Sequence, residues 1–195
     1  NYNSAPLILS NPVSQINEGN TYYYKIDVYD ADAGSQFTFS ANAIPSWLQL
    51  NPSTGILEGR PNNDDVGTHQ ISVSVADGDG KSVSQSFSIV VNNVNDAPEI
   101  TSLPLNEVIQ GDEYRYSISY TDVDAADNAT LEISGLPTWL SFDGQSITGT
   151  PGNDDIGVYQ ISIRAIDESG SSDLQTYSLS VIDKNDLPNL LFRYG

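Results

Sequence analysis

Ile44–Asp77 reads IPSWLQLNPSTGILEGRPNNDDVGTHQISVSVAD, and Leu136–Asp167 reads LPTWLSFDGQSITGTPGNDDIGVYQISIRAID. One pattern is written twice. Each stretch opens with Pro-(Ser/Thr)-Trp-Leu and reaches Pro-x-Asn-Asp-Asp-x-Gly. Each then alternates apolar and polar residues up to an Asp. Working outward, Pro6 matches Pro98, Gly19 matches Gly111, and Tyr22 and Tyr24 match Tyr114 and Tyr116. Asp30 and Asp32 match Asp122 and Asp124, and Trp47 matches Trp139, all at an offset of 92. A two-residue deletion then lowers the offset to 90, which carries Asp77 onto Asp167, Gly80 onto Gly170, and Asn95, Asp96 and Pro98 onto Asn185, Asp186 and Pro188. Internal repeats of this kind set the architecture before any other signal. The expectation is two tandem domains, 1–97 and 98–189, with 190–195 as the start of a following domain or a tail.

Inside each repeat the period is two. TYYYKIDV, HQISVSVA and QSFSIVV alternate, as do EYRYSISY, YQISIRAI and TYSLSVI, which is the signature of half-buried strands. NPSTG, DGDGK and DESGS supply turn chemistry between them. No helical period stands out. The fold class expected is all-β: two Ig-like, cadherin-like Greek-key sandwiches of about seven strands each, paired mostly antiparallel.

The 195 residues carry 26 acids against seven bases, a net charge of −19. That balance opposes nucleic-acid backbones and anionic membranes as partners. No Cys is present, so disulfides and thiolate metal sites are ruled out. No run of 18 apolar residues occurs, so membrane insertion is not expected. The chain has no Met even at position 1 and reads as a piece of a longer array.

The acids that recur fall at strand ends: Asp-x-Asp, Asn-Asp-Asp before a Gly, an Asp closing the HQISVSVAD stretch, and Asn-Asp-x-Pro between the repeats. A sandwich does not require acids at these places. Hard divalent cations take six to eight oxygens from carboxylates, amides and carbonyls, and Ca²⁺ tolerates irregular geometry better than Mg²⁺. An irregular turn after a strand can bring both carboxylates of Asp-x-Asp toward one ion.

Glu18-Gly19, Asp30-Ala31-Asp32, Asp64-Asp65, Ala76-Asp77 and Asn93-Val94-Asn95-Asp96-Ala97-Pro98 together resemble a cadherin-type repeat. The Trp47 to Asp77 stretch is closer to the bacterial and dystroglycan-type cadherin-like, Ig-like subfamily found in large bacterial adhesins and surface proteins. The resemblance implies a Ca²⁺ cluster between the domains. Its ligands would be Glu18, Asp64 and Asp65 from the first repeat, Asn93, Asn95 and Asp96 from the linker, and Asp122, Asp124 and Asp167 from the second. The chain departs from the cadherin pattern in several places. The mid-domain motif is Asn-Asp-Asp instead of Asp-Arg-Glu, Asn93 and Ala97 replace a linker Asp and Asn, and Gln110 stands where Glu18 does. Ion number and affinity are therefore expected to differ from those of cadherins.

An enzyme is not expected. The sole His, His69, aligns with Tyr159 on a strand, and no Cys nucleophile, His cluster or G-x-S-x-G turn occurs. Trp47 and Trp139 read as core residues ahead of sugar-stacking platforms. Alternation sends Tyr22 and Tyr24 to one face and Tyr23 to the other. Two function classes follow. One is a calcium-rigidified extracellular spacer or adhesion module on a bacterial surface, with neighbouring domains of the same protein as partners. The other is a calcium-dependent carbohydrate-binding module of an adhesin or a secreted polysaccharide-degrading enzyme, with cell-surface glycans or another copy as partner.

Overall fold

A computed structural model describes residues 3–32, 36–124 and 128–186. The expected tail at 190–195 lies outside them. The chain forms two compact units, Asn1–Val94 and Asn95–Gly195.

In the first unit β2 (Gln15–Asn17), β9 (Ser82–Asn92), β8 (Gly67–Ala76) and β5 (Thr38–Ala43) lie side by side in that order. A second sheet has β3 (Tyr22–Lys25), β7 (Ile56–Gly59) and β6 (Leu48–Leu50). The short β1 (Leu7–Ile8) pairs with β4 (Val28–Tyr29). These nine segments are seven strands with two of them broken: β1 and β2 share the first, β3 and β4 the second. Pro12 lies in the first break. It has no N–H to give a ladder, and the strand passes from its antiparallel partner β4 to a parallel pairing with β9. The chain crosses between sheets from β5 to β6, which is the Greek-key connection.

The second unit repeats the plan. One sheet runs β11 (Glu107–Ile109), β18 (Ser172–Ile182), β17 (Gly157–Ile166), β14 (Thr130–Ser134), and the other β12 (Tyr114–Ser117), β16 (Ser146–Gly149), β15 (Leu140–Phe142). β10 (Glu99–Ile100) pairs with β13 (Tyr120–Thr121). No α-helix occurs among the described residues. Short 3₁₀ turns cover Asn63–Asp65, Asn153–Asp155 and Lys184–Asp186.

Alternation builds each core. On β3 Tyr22 and Tyr24 are buried while Tyr23 is exposed. On β8 Ile71, Val73 and Val75 point inward. They meet Leu48, Leu57, Phe39 and Ile89 from both sheets in one cluster, and a cluster around Tyr114, Tyr116, Ile147, Ile161 and Leu179 does the same in the second unit. Trp47 packs edge-on against Tyr22, ring centroids 6.1 Å apart, and Trp139 against Tyr114 at 6.4 Å. Both indoles are core-packing residues, as the sequence suggests. Gly59 and Gly149 make this possible: a Cβ there would lie 2.1 and 2.0 Å from the Trp47 and Trp139 carbonyl oxygens.

Candidate metal centre

β8 runs from one set of candidate ligands to another, and so does β17. At the C-terminal end of β8 sit Asp77 and the Asp30–Asp32 pair that follows β4. Asp32 N–H donates to Asp30 Oδ1 at 2.8 Å, and Asp32 Oδ2 accepts the Ser4 N–H at 2.7 Å. Asp77 Oδ1 accepts the N–H groups of Lys81 and Asp79 at 2.8 and 3.0 Å, and its Oδ2 accepts from Asn3 Nδ2 at 3.2 Å. This closes the β8–β9 turn and shows Asp79 as a turn residue.

The second unit reproduces the arrangement with linker residues. Asp124 N–H donates to Asp122 Oδ1 at 2.9 Å, and Asp124 Oδ2 accepts the Asp96 N–H at 2.7 Å. Asn95 Nδ2 donates to Asp167 Oδ2 at 2.8 Å and to Ser171 Oγ at 3.0 Å. Ser171 N–H donates to Asp167 Oδ1 at 2.8 Å. Asp96 is thus joined to Asp124 and through it to Asp122, and Asn95 is joined to Asp167. Ser171 is a partner that the sequence reading did not single out, and its only signal was its place in the DESGS turn.

Hydrogen bonding governs the charge of the two lone acids. The Asn95 amide, aided by backbone N–H groups of Ser171, Gly170 and Ser169, overrides desolvation and holds the Asp167 carboxyl below its usual range. Desolvation raises Asp77, but the N–H groups of Lys81, Asp79 and Gly80 and the Asn3 amide outweigh it and leave the carboxyl low. Both are therefore carboxylates at neutral pH.

At the N-terminal end of β8 the picture is looser. Glu18 is buried and its Oε1 accepts the Val94 N–H at 2.7 Å. Gly19 N–H donates to Pro61 O at 2.8 Å, which ties this turn to the start of the Asn-Asp-Asp motif. There Asn62 caps the turn: its Oδ1 accepts the Asp64 N–H at 3.0 Å, and Asp65 Oδ2 accepts the Asn62 N–H at 3.0 Å. Asp64 and Asn93 are exposed. His69 packs against Trp47 at 5.7 Å and its Nε2 hydrogen-bonds the Asp65 carbonyl at 2.6 Å.

Among the described residues no group of three or more carboxylate or imidazole side chains forms a ready-made cage. The oxygens are held by N–H donors instead. The fit to a cation lies in what remains. Buried side-chain polar atoms without a hydrogen-bond partner include Glu18 Oε2, Asp30 Oδ2, Asp122 Oδ2 and Asp124 Oδ1, together with the Nε1 of Trp47 and Trp139. Three of the four oxygens belong to the repeated Asp-x-Asp motif and the fourth to Glu18, which the second repeat replaces with Gln110. A buried carboxylate oxygen without a donor is costly.

The chain matches the family described as Putative Ig domain over residues 5–92 and again over 97–182. It is 30% identical over 150 residues to the serine-rich adhesin for platelets of Staphylococcus aureus (strain USA300), an alignment covering 74% of this chain and 6% of the adhesin. The chain thus spans a small fraction of that relative's length. Among solved structures, human CDH23 EC21-23 superposes with a TM-score of 0.57 at 18% identity, covering 94% of this chain and 71% of that one. Protocadherin Gamma B2 extracellular cadherin domains 1-5 give 0.54 at 18%, covering 93% and 40%. At these identities the likeness is one of fold.

Proposed function

The chain belongs to the Putative Ig domain family through both repeats, and we propose from that premise that it is a calcium-stiffened, non-catalytic module of a larger extracellular adhesin or surface protein. The observation that carries the cation part is the set of buried, unpartnered oxygens on Glu18, Asp30, Asp122 and Asp124. Ca²⁺ is a hard cation that accepts such oxygens in irregular geometry. The candidate ligands in the first unit are Glu18, Asp64, Asp65 and Asn93, and those in the second are Asn95, Asp96, Asp122, Asp124 and Asp167. When bound, it would supply the positive charge that a chain of net charge −19 lacks. The residues themselves order the linker: Val94 N–H is tied to Glu18, Asp96 N–H to Asp124, and the Asn95 amide to Asp167. The adhesion part is supported by the similarity to the staphylococcal adhesin. The non-catalytic part is supported by His69, whose ring is engaged by Trp47 and the Asp65 carbonyl.

The test is thermal melting of the chain in excess Ca²⁺ and in EGTA. A ligand that binds only the folded state stabilises by RT ln(1 + [L]/Kd), about 2.7 kcal/mol at a hundredfold excess over Kd, so several degrees should separate the curves. Superimposable curves would remove calcium from the reading. Small-angle scattering under the same two conditions should give a narrower distance distribution with Ca²⁺.

A further inference from the structure

The open side of the first sandwich holds a second feature that the acid motifs do not touch. β2 ends one sheet and β3 ends the other, and the turn that joins them leaves a cleft of about 530 Å³ lined by Gln15, Asn17, Asn20, Thr21, Tyr23 and Asn92 among others. In a chain with 26 acids, no lining residue is an acid or a base. Three of the amides are exposed, as are Thr21 and Tyr23. Asn92 Nδ2 donates to Asn17 Oδ1 at 3.2 Å, which fixes that amide pair and leaves the Asn92 oxygen and the Asn17 nitrogen to face outward partners.

The chemistry of this lining is narrow. Planar amides offer a donor and an acceptor side by side, which suits neighbouring hydroxyl groups on a ring. Tyr23 is 55% exposed and is anchored by β3 pairing with β7, so it presents a rigid apolar surface with a polar tip. An anionic ligand would find no base there and the field of a net charge of −19. A cation would find no carboxylate.

The second unit supplies an internal contrast. The matching cleft is lined by Glu107, Ile109, Asp112, Glu113 and Ile182, and Arg115 stands at the position of Tyr23. Every amide is gone, the aromatic is gone, and three carboxylates have taken their place. The sandwich therefore does not require the neutral lining.

We propose that the Gln15–Asn17–Asn20–Tyr23–Asn92 cleft of the first unit binds a neutral carbohydrate chain, without a cation, at one site per pair of repeats. The proposal is independent of calcium binding at the acid motifs. The test is affinity electrophoresis of the whole chain through gels containing a neutral glucan, mannan, galactan or xylan, each run in Ca²⁺ and in EGTA. Retardation by at least one polymer, equal in both conditions, is expected. Tyr23→Ala should weaken it tenfold or more, while Tyr23→Phe keeps most of it. Tyr23 is exposed, so an unchanged melting curve for Tyr23→Ala separates lost binding from lost folding. Asn17→Ala, also at an exposed position, gives a second variant. No retardation by any of the four polymers would overturn the proposal, as would retardation that survives Tyr23→Ala or that needs Ca²⁺. Binding of an extended peptide along the free edge of β2, with all polymers blank, would assign the cleft to a peptide and likewise overturn it.

Discussion

The two units treat the C-terminal ends of β8 and β17 alike and the N-terminal ends differently. At the first, the same relay recurs: a residue ahead of the first strand gives its N–H to the second Asp of Asp-x-Asp, which gives its own N–H to the first. Ser4 does with its backbone what Asp96 does. At the second, Glu18 holds Val94, whereas Gln110 donates to the Asn153 side chain. Asn62 caps the Asn63–Asp65 turn with its side chain, whereas Gly152 has none to offer and gives only its N–H to Asp155 Oδ2 at 2.8 Å. His69 and Tyr159 nonetheless make the same contact, each to the carbonyl of the last Asp of the turn. A backbone donor survives a change of side chain, as at Ser4 and Asp96. A side-chain contact survives only where the replacement can make the same bond, as Tyr159 does for His69 and Gly152 does not for Asn62. The ends that differ are where cation affinity should differ between the units.

The largest expected effect tests what the units share. Gly59→Ala and Gly149→Ala each drive a Cβ into a Trp carbonyl, and each should cost about 2–4 kcal/mol by denaturant unfolding. Similar losses are expected. A large loss in one unit and none in the other would break the equivalence of the two cores.

Next in size is the cation response. Asp122→Asn with Asp124→Asn removes two of the unpartnered oxygens' charges and should abolish most of the calcium-dependent stabilisation, about 2–3 kcal/mol at a hundredfold excess over Kd, measured as loss of the calcium-dependent rise in melting temperature. Glu18→Gln should lower the response more modestly while leaving the EGTA curve nearly in place, because the amide oxygen can still accept the Val94 N–H. If both variants respond to calcium like the parent, the ligand assignment fails.

The cap difference should be smaller. Asn62→Ala removes the side-chain acceptor for Asp64 N–H and should cost about 1 kcal/mol. Gly152→Asn should gain a few tenths of a kcal/mol by the same route. Unfolding free energies of the two single variants decide it, and a loss at Gly152 would show that the second turn cannot accept the cap.

The smallest effect in ordinary buffers appears only at high pH. Burial pushes the Tyr22 phenol up to about 12, with the neighbouring Tyr24 adding to it. In the second unit burial likewise raises Tyr177, with Tyr114 adding to it, and Tyr114 against its bond to Tyr177. A phenol raised on folding stabilises fully below its unfolded pKa near 10, and the contribution is lost as the pH climbs through the folded value. Melting temperature should therefore fall from pH 10 to 12, and Tyr22→Phe should flatten that slope for the first unit.

The sequence by itself determined the repeat register, the strand periodicity, and the positions of the Trp and acid motifs, because each is a local pattern or a self-match. Alternation alone put Tyr22 and Tyr24 inside and Tyr23 outside, as found. The acids of Asp-x-Asp could be read as a pair because two residues of one turn must lie together. Tertiary structure decided what depends on partners far along the chain. It split the first strand at Pro12 and paired its second half in parallel with β9. It put Asn95 against Asp167 and Ser171, 72 and 76 residues away. It also left one oxygen each on Glu18, Asp30, Asp122 and Asp124 without a donor, while Asp65 received the Asn62 N–H. The neutral cleft belongs to the same class, since Gln15, Asn20 and Tyr23 are ordinary surface residues until the fold carries Asn92 beside Asn17. A pattern in sequence records which faces are apolar. Which buried polar atoms find partners depends on long-range register, and that is fixed only when the sheets close on a common core.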